Sequence, residues 1–360
     1  MNYRTTKLLA ATDLGAGGTK TIDINVVAPI SRIMLQWKVS KLQALMNNYC
    51  HKDISKIELV DGSDVLFSMD GGQAQALNIF DRKCGSMNFG QYINANDQFS
   101  YYGIDFGRFL FDPMLAFDPK KFNNPQLKVT YSEIVSDTAV VDSTLEVIAE
   151  VFDEKVVSPI GFLMSKAHHV YSVGDEDSYE YIKLPTDHPY RKLLIQGYSK
   201  AYEPWNVVKE ARLNEDNEKR IPFDWELEIY HQHRKGIDTP VQEEVVLQPQ
   251  GGGAAYYMTP TDYWATLVTQ GQDAGDQAAT GASGRGGYFL VTAGGSTQAQ
   301  CICKGWLPNH CFHFPFGDEK DMDDWYDVSR IGSLELRLRA GADTGTGGVG
   351  AVILQQLRRY

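Results

Sequence analysis

Residues 123–153 read NNPQLKVTYSEIVSDTAVVDSTLEVIAEVFD, and this stretch decides the fold because the chain ends on a second copy of its pattern. Leu127 and Val129 alternate with polar residues, and after a gap Leu145 and Val147 do so again. Alternation of this kind indicates a strand that buries one of its two faces. The stretch therefore predicts two strands separated by a connection.

The second copy lies at the C-terminus. Leu334 and Leu336 alternate with polar residues there, and Val352 begins the second alternating run after a gap. The offset is 207 residues from Leu127 to Leu334, and it is 207 residues again from Leu145 to Val352. Two matches at one offset indicate a duplicated unit.

Earlier segments repeat in the same order, because each copy contains a strand, then a polar hairpin, then a short helical run. In the first copy these are residues 32–41, 61–64 and 73–82. In the second copy they are residues 191–200, 214–219 and 224–234. The second copy is longer by an insertion that coincides with a Gly-rich tract near residues 250–287. A duplication is the interpretation we adopt, and two unrelated β domains in one chain are the alternative.

Helical signal is otherwise sparse, and Gly or Pro punctuates the chain every ten residues or so, as in all-β sandwiches. We expect residues 1–25, which are polar and Gly-rich, to form an N-terminal arm. Residues 26–157 are predicted to form the first domain. Residues 158–360 are predicted to form the second, with the long insertion around 250–310.

Composition limits the class of protein. The 360 residues suffice for two domains that each bury a core, and 43% hydrophobic with 22% charged residues is typical of globular proteins. A net charge of −12 argues against a nucleic-acid groove as the main surface, since phosphate contacts need clustered Lys and Arg. No apolar run predicts a membrane span, and the N-terminal apolar run is too short for a signal peptide. Five cysteines do not make a disulfide scaffold, so we expect folding in a reducing cytoplasm.

Several motifs contain residue types that could carry chemistry. The segment DLGAGGTK at residues 13–20 resembles the phosphate loop of sugar kinases, but the chain lacks the α/β alternation of those enzymes, so we interpret the segment as part of the arm. The densest set of potential metal ligands is Cys301, Cys303, His310, Cys311 and His313. Its Cys-x-Cys spacing puts both thiols on one face of a strand, without the knuckle of zinc sites. We therefore assign no metal and no cofactor.

The remaining polar clusters have simpler interpretations. The histidine pairs at 168–169 and 231/233 lack the partners of a catalytic triad, and the acidic run at 318–324 lacks calcium-loop spacing. No nucleophile elbow or metalloprotease motif occurs. We predict no catalytic residue and expect that the protein is not an enzyme.

Two segments give the duplication a family resemblance: FNNPQLKV at residues 122–129 and LPTDHPYR at residues 184–191. Together with the repeat, they resemble the major capsid proteins of tailless icosahedral viruses, in the lineage of adenovirus and the internal-membrane phages. The resemblance spans about residues 26–360 and implies an all-β double jelly roll. Such a fold consists of two tandem eight-stranded jelly-roll β-sandwiches with short helices and long loops.

The resemblance also implies a function. The protein would be a structural viral major capsid protein, forming pseudo-hexagonal homotrimeric capsomers that tile an icosahedral shell in the virion after assembly in the host cytoplasm. Its partners would be itself, neighbouring capsomers, and penton and minor capsid proteins, without sequence-specific contact to nucleic acid. The arm at residues 1–25 would reach an internal lipid membrane or a neighbouring capsomer. The aromatic-rich residues 100–117 would be buried between subunits, and residues 251–287 would face outward as towers.

Two other functions remain open at the level of sequence. A two-domain carbohydrate-binding protein or glycoside-acting enzyme would use exposed aromatic rings as sugar platforms. The tryptophans available for this purpose are Trp205, Trp225, Trp264, Trp306 and Trp325. A tail or spike receptor-binding protein would also be trimeric but would not form shells.

Overall fold

The computed structural model describes residues 1–41, 48–89, 91–93, 95–133, 140–200, 202–247, 254–269, 281–283, 286–292, 299–342 and 348–360. Strands dominate, and the helices are few and short. No helix in these ranges is long and apolar enough to cross a membrane.

Residues 3–152 form the first unit. Its strands are β1 (Tyr3–Asp13), β2 (Gly17–Asp23), β3 (Ile30–Lys41), β4 (Ile54–Asp61), β5 (Asp64–Met69), β6 (Asn88–Phe89), β7 (Gln91–Tyr92), β8 (Asp97–Asp105), β9 (Pro125–Ser132) and β10 (Val140–Phe152). Helix α1 (Gly71–Arg82) follows β5, and short 3₁₀ helices occupy Cys50–Asp53 and Pro119–Lys121.

Two sheets pack face to face in this unit, with strand orders β1-β10-β3-β8-β6 and β2-β9-β4-β5. Leu127 and Val129 of β9, and Leu145 and Val147 of β10, are fully buried, while the residues between them are partly exposed. These side chains meet around Trp37 in one apolar core. The alternation in residues 123–153 is therefore that of two strands with one buried face.

Helix α1 begins two residues before the helical run predicted at residues 73–82 and ends at the same residue. Its first turn explains where it begins. The Asp70 carboxylate accepts a hydrogen bond from the Gln73 amide at 2.8 Å, and the Gln73 side chain accepts one from the Asp70 amide at 3.1 Å, which is a capping box. A Cβ at Gly71 would lie 2.5 Å from the carbonyl oxygen of His51, so only glycine allows the helix to approach this closely. Lys83, in a left-handed conformation, ends the helix.

Residues 161–359 form the second unit. Its strands are β11 (Gly161–Ser172), β12 (Tyr179–Leu184), β13 (Tyr190–Tyr198), β14 (Val208–Glu215), β15 (Arg220–Glu226), β16 (Val241–Leu247), β17 (Ala254–Tyr257), β18 (Pro260–Thr269), β19 (Gly281–Ser283), β20 (Tyr288–Thr292), β21 (Ala299–Pro308), β22 (Cys311–Pro315), β23 (Leu334–Ala340) and β24 (Val349–Arg359). The helices are α2 (Pro204–Val207), α3 (Leu227–Lys235) and a 3₁₀ turn at Met322–Asp324.

The two units share one topology. The second unit has sheets of order β11-β24-β13-β22 and β12-β23-β14-β15. Each unit contains eight principal strands, which are β1–β5 and β8–β10 in the first unit and β11–β15 and β22–β24 in the second. When these strands are numbered 1 to 8 in chain order, both units have the sheet orders 1-8-3-6 and 2-7-4-5. The offset of 207 residues joins seventh strand to seventh strand and eighth to eighth, so the predicted all-β fold with a repeated unit is confirmed.

The expected N-terminal arm was wrong. β1 pairs with β10 and β2 pairs with β9, so residues 3–23 supply the first two strands of the first unit. Both strands lie at the edge of a sheet and expose most of their side chains, with Ile22 the buried one in β2. Ile22, Leu8 and Leu9 contact the core, but most of the pairing comes from backbone hydrogen bonds, which leave little hydrophobic pattern to detect. The expected contact with an internal lipid membrane would therefore have to come from edge strands rather than from a free arm, and it stays a prediction.

Between α3 and β22 the second unit carries an insertion, residues 236–310. One of its sheets has the order β18-β21-β16-β7, and β7 comes from the first unit and pairs in parallel with β16. A smaller sheet has the order β17-β20-β19. Residues 248–253, 270–280, 284–285 and 293–298 of the predicted insertion lie outside the described residues, so the expectation of an outward tower stays a prediction.

Candidate assembly surfaces

The two units are joined by a parallel strand pair. Ser165 of β11 lies opposite Phe67 of β5, and Lys166 lies opposite Ser68. This pairing makes one continuous sheet of order β2-β9-β4-β5-β11-β24-β13-β22. The fifth strand of the first unit thus meets the first strand of the second unit, and we call this contact the seam.

The seam has an apolar core. Phe162 and Met164 of β11, Leu194 of β13 and Ile353 of β24 belong to the same buried cluster as the core of the first unit. β13 is accordingly buried on both faces, one toward its own unit and one toward the seam. An interface with a continuous hydrophobic core holds two domains in one arrangement.

A buried ionic network lies at the edge of the seam. Asp81, at the end of α1, accepts from Arg191 at 2.6 Å and lies 2.7 Å from the Lys192 ammonium group. Lys192 is fully buried and also pairs with Glu319. Gln355 of β24 closes the network, because it accepts from Arg191 at 2.7 Å and donates to Asp81 at 2.9 Å. A carboxylate of the first unit is therefore held entirely by groups of the second.

The network sets the pKa values of its acids. Burial alone would raise the pKa of Asp81, but Arg191 and Lys192 outweigh it and hold the pKa below the ordinary 3.8. The pKa of Glu319 is likewise lowered: burial opposes the shift, and contacts with His313 and Lys192 outweigh it. A carboxylate with a lowered pKa stabilises the fold above its unfolded pKa, and that contribution is lost as the pH falls through the folded value. The seam is thus expected to weaken only in acid, below about pH 4.

Amide side chains extend the seam along α1. Gln73 donates to Gln196 of β13 at 3.1 Å, and Asn309 of the insertion donates to the Gly72 carbonyl at 2.9 Å. Gln75 also accepts from Asn309 at 3.3 Å. Buried polar groups of this kind are stable only when they are paired, so they fix the position of α1 against the second unit.

The seam uses the fifth strand of the first unit and the first strand of the second unit. The counterparts of these two strands, β15 and β1, lie at sheet edges. β1 is the first strand of the first unit and lies at a sheet edge with mostly exposed residues, whereas residues 161–165 of β11, its counterpart, are all buried. β15 is the fifth strand of the second unit and also lies at an edge, where Ile221 is 41% exposed; Leu66 and Phe67 of β5, its counterpart, are buried. Among described strands, each unit therefore carries an uncovered half of the same contact.

The aromatic-rich residues 100–117 divide between core and surface. Tyr102, Phe106 and Phe117 are buried in the first unit, so they are not available for another subunit. Phe109 and Met114 are exposed, and Met114 accepts a backbone hydrogen bond from Ile160 at the start of the second unit. Burial between subunits remains a prediction for the exposed residues alone.

The predicted candidate metal ligands are not brought together. Cys301 and Cys303 lie on one face of β21 with their sulfurs 3.5 Å apart, as the spacing predicted. His313 instead belongs to the seam, where its ring stacks on Phe80. Among described residues, no group of three or more His, Cys, Asp or Glu side chains is placed to hold a metal ion.

The other candidate motifs have structural roles. Residues 13–20 join β1 to β2, and Gly15, in a left-handed conformation, makes the turn while its amide donates to Asp13 at 3.0 Å. A phosphate loop would instead precede a helix. In the acidic run, the Asp318 and Asp321 carboxylates accept hydrogen bonds from nearby backbone amides. His169 pairs with Glu180 at the surface.

Sequence reasoning missed the ionic network. A signal was present, since Arg191 and Lys192 begin the otherwise apolar strand YRKLLIQGY, and charges inside a strand that is buried on both faces need partners. The identity of the partner was not available. Asp81 is 110 residues away from Arg191, and nothing in the local sequence marks it.

Comparison with known proteins comes from structure, because no family model and no curated protein matches the sequence. The crystal structure of the STIV MCP, from Sulfolobus Turreted Icosahedral Virus, gives a TM-score of 0.59 at 11% identity, covering 99% of this chain and 96% of that chain. The major capsid protein P2 of bacteriophage PM2 gives 0.54 at 11% identity, covering 99% and 98%. This chain is a double jelly roll. The PBCV-1 virus capsid agrees with that assignment, at a TM-score of 0.57 and 10% identity over 99% of this chain and 93% of that chain.

Most of the tryptophans expected to serve as sugar platforms are not available at the surface. Trp325 is buried, and Trp205, Trp225 and Trp306 pack against the core of the second unit. Trp264, at 81% exposure, is the remaining one of these five tryptophans that a sugar could stack on. The expected platform of tryptophans is therefore not formed, and we do not propose this function.

Proposed function

We propose that this protein is a viral major capsid protein whose homotrimers form pseudo-hexagonal capsomers that tile an icosahedral shell. The observation that carries the proposal is the seam, in which β5 of one unit lies against β11 of the next. The likeness of the fold to solved capsid proteins supports the same function.

Repeating the seam between chains would bring β15 of one chain against β1 of its neighbour. Such a contact is heterologous, since it joins two different surfaces, and heterologous contacts close into rings when the rotation permits. Three chains contribute six units of one topology, so a closed trimer would have a pseudo-hexagonal outline. Pairing would also cover the two edge strands, which are otherwise a liability in solution.

Further partners follow from a capsid role. We propose that trimers contact neighbouring capsomers and penton and minor capsid proteins, that the protein resides in the virion after assembly in the host cytoplasm, and that it acts structurally rather than as an enzyme. The net charge of −12 supports packaging of nucleic acid without sequence-specific contact.

Native mass and outline test the proposal. The purified chain is expected to scatter as a trimer of three 40.3 kDa subunits, with hexagonal particles or shells in negative stain. A monodisperse 40.3 kDa species in all salts would contradict it.

Two substitutions test the edge contact. Ile221→Asp places a charge on the free edge of β15 and is expected to give monomers. Val156→Asp, at a residue that is 94% exposed in the connection between the units, is the matched control and is expected to leave the trimer intact. If Ile221→Asp remains trimeric, β15 is not the edge that pairs.

A further inference from the structure

A cavity of about 300 Å³ lies between α1 of the first unit and α3, β22 and the loop after β22 of the second. Its volume equals that of about ten water molecules, or of an organic molecule with about ten non-hydrogen atoms. Pockets for small molecules typically begin at about this size and combine apolar walls with a few polar groups.

The walls of the cavity are largely aromatic. Phe80, Tyr230, Trp306 and Phe312 line it, together with aliphatic side chains such as Ile79. Rings from both units thus surround the space, since Phe80 belongs to α1 and the others to the second unit. A guest with an apolar, preferably planar, body would be in contact with rings on several sides.

Two buried nitrogen-bearing side chains in this cavity have no hydrogen-bond partner among the described residues. His313 is 5% exposed, and neither ring nitrogen makes a hydrogen bond. Its nearest oxygens are those of Glu319 at 3.5 Å and Asp238 at 3.9 Å, which are ionic neighbours, and the Glu319 oxygen likewise makes no hydrogen bond. The buried indole N–H of Trp306 likewise has no acceptor. Buried donors without acceptors are costly, so an oxygen acceptor inside the cavity would satisfy them.

The charges around the cavity favour an anion. The cations that line it or pair with its walls are Lys83, Arg108, Arg191, Lys192, Arg234 and Lys320. The carboxylates in the same set are Asp81, Asp112, Asp238, Asp318 and Glu319. Six cations face five carboxylates, and His231 is balanced separately by Asp262 at 2.8 Å. One further negative charge would make the site neutral.

We propose that this cavity binds a small aromatic or apolar monocarboxylate, with its body against the rings and its carboxylate accepting from Trp306 and His313. Such a ligand would touch both units and so stabilise the seam. The inference does not depend on a capsid role, because it concerns a site inside one chain.

Binding of phenylacetate to the purified full-length chain tests the proposal, with phenylacetamide as the neutral probe of the same size. Saturation-transfer NMR titration is expected to give a dissociation constant of about 1 mM or lower for phenylacetate. The amide is expected to bind at least about tenfold more weakly, because charge-assisted hydrogen bonds are lost. Absence of saturable phenylacetate binding, or equal binding of acid and amide, would overturn the assignment.

Matched tryptophan variants locate the binding. Trp306→Phe keeps an aromatic wall but removes the N–H donor, and it is expected to weaken phenylacetate binding about tenfold. Trp264→Phe alters the exposed ring on β18 and is expected to have no effect. Equal affinities of the two variants would place the ligand elsewhere.

Cysteine protection supplies a readout in the unmodified chain. Cys84 lines the cavity and is partly exposed. Phenylacetate is expected to slow alkylation of Cys84 by iodoacetamide several-fold, whereas phenylacetamide at the same concentration is expected to slow it much less. Equal rates at Cys84 with and without phenylacetate would refute the site, even if the Trp306 variant fails to fold.

Discussion

Glu243 on β16 is expected to destabilise the insertion at neutral pH, and a Glu243→Gln variant tests this. The side chain is 5% exposed, and one carboxylate oxygen accepts a hydrogen bond from the Thr259 amide at 2.5 Å. Burial raises the pKa of Glu243 to about 7 from an ordinary 4.5, and hydrogen bonds from Thr259 oppose the shift only in part. A glutamine keeps the acceptor oxygen but carries no charge at any pH.

The sign of the effect follows from linkage. Below pH 4.5 the carboxyl group is protonated in both the folded and the unfolded chain, so Glu243 contributes no penalty. Between pH 4.5 and about 7 the unfolded chain releases the proton while the folded chain keeps it, so the free energy of unfolding falls. The difference between a pKa of 4.5 in the unfolded chain and about 7 in the folded chain lowers the free energy of unfolding by about 3 kcal/mol above pH 7. Glu243→Gln removes this penalty.

Thermal unfolding from pH 4 to pH 8 measures the difference. The variant is expected to match the parent near pH 4 and to unfold about 4 °C higher at pH 8, if the chain unfolds as one unit. Glu244→Gln is the matched control, because Glu244 is the next residue and is exposed on the opposite face of β16. It is expected to change neither midpoint. A Glu243→Gln difference that is the same at every pH, or a loss of stability at pH 8, would refute the reasoning.

Two further substitutions test the seam and the insertion. Asp81→Asn removes one of the two carboxylates that pair with the buried cations Arg191 and Lys192, and it is expected to cost about 3–5 kcal/mol in urea unfolding. Asp64→Asn, which breaks a half-exposed pair with Arg358, is expected to cost less than about 1 kcal/mol. Equal costs would mean that the buried network does not stabilise the seam. Gly305→Ala puts a Cβ 2.1 Å from the Asp262 carbonyl oxygen and is expected to cost about 1–3 kcal/mol. Gly236→Ala is the control, because its added Cβ would lie 3.5 Å from the nearest atom, and it is expected to be neutral or slightly stabilising. An unchanged unfolding midpoint for Gly305→Ala would contradict the close contact between Gly305 and the Asp262 carbonyl oxygen.

The strands that could be predicted from sequence are those with one buried face and one solvent-exposed face. β9, β10 and β23 alternate because only every second side chain enters the core, and alternation is what a sequence displays. β1 and β2 are equally regular strands, but they lie at sheet edges and expose most of their residues. They are held largely by backbone hydrogen bonds to β10 and β9, which most side chains permit, with few core contacts such as that of Ile22.

The seam could not be predicted for a different reason. Arg191 and Lys192, inside an apolar strand, indicate that a buried acidic partner exists. Nothing in the sequence distinguishes that partner, Asp81, from the many other acidic residues of the chain. Pairing over 110 residues depends on how the two units are placed, and the strand pairing between them, β5 with β11, spans only two residue pairs. The cavity beside the network was inaccessible for the same reason, since its walls come from both units.

The first strands of the two units have one topological position but very different side chains, and this difference bears on assembly. The start of β11 reads GFLMS and is buried against the first unit, while the start of β1 reads YRTTK and is largely exposed. If neighbouring chains repeat the seam, the contact between them uses the polar version of the strand. Polar contacts of partly exposed charges are weaker and more easily screened by salt than an apolar core. The contact within a chain is therefore expected to be permanent, and the contact between chains is expected to be adjustable by salt.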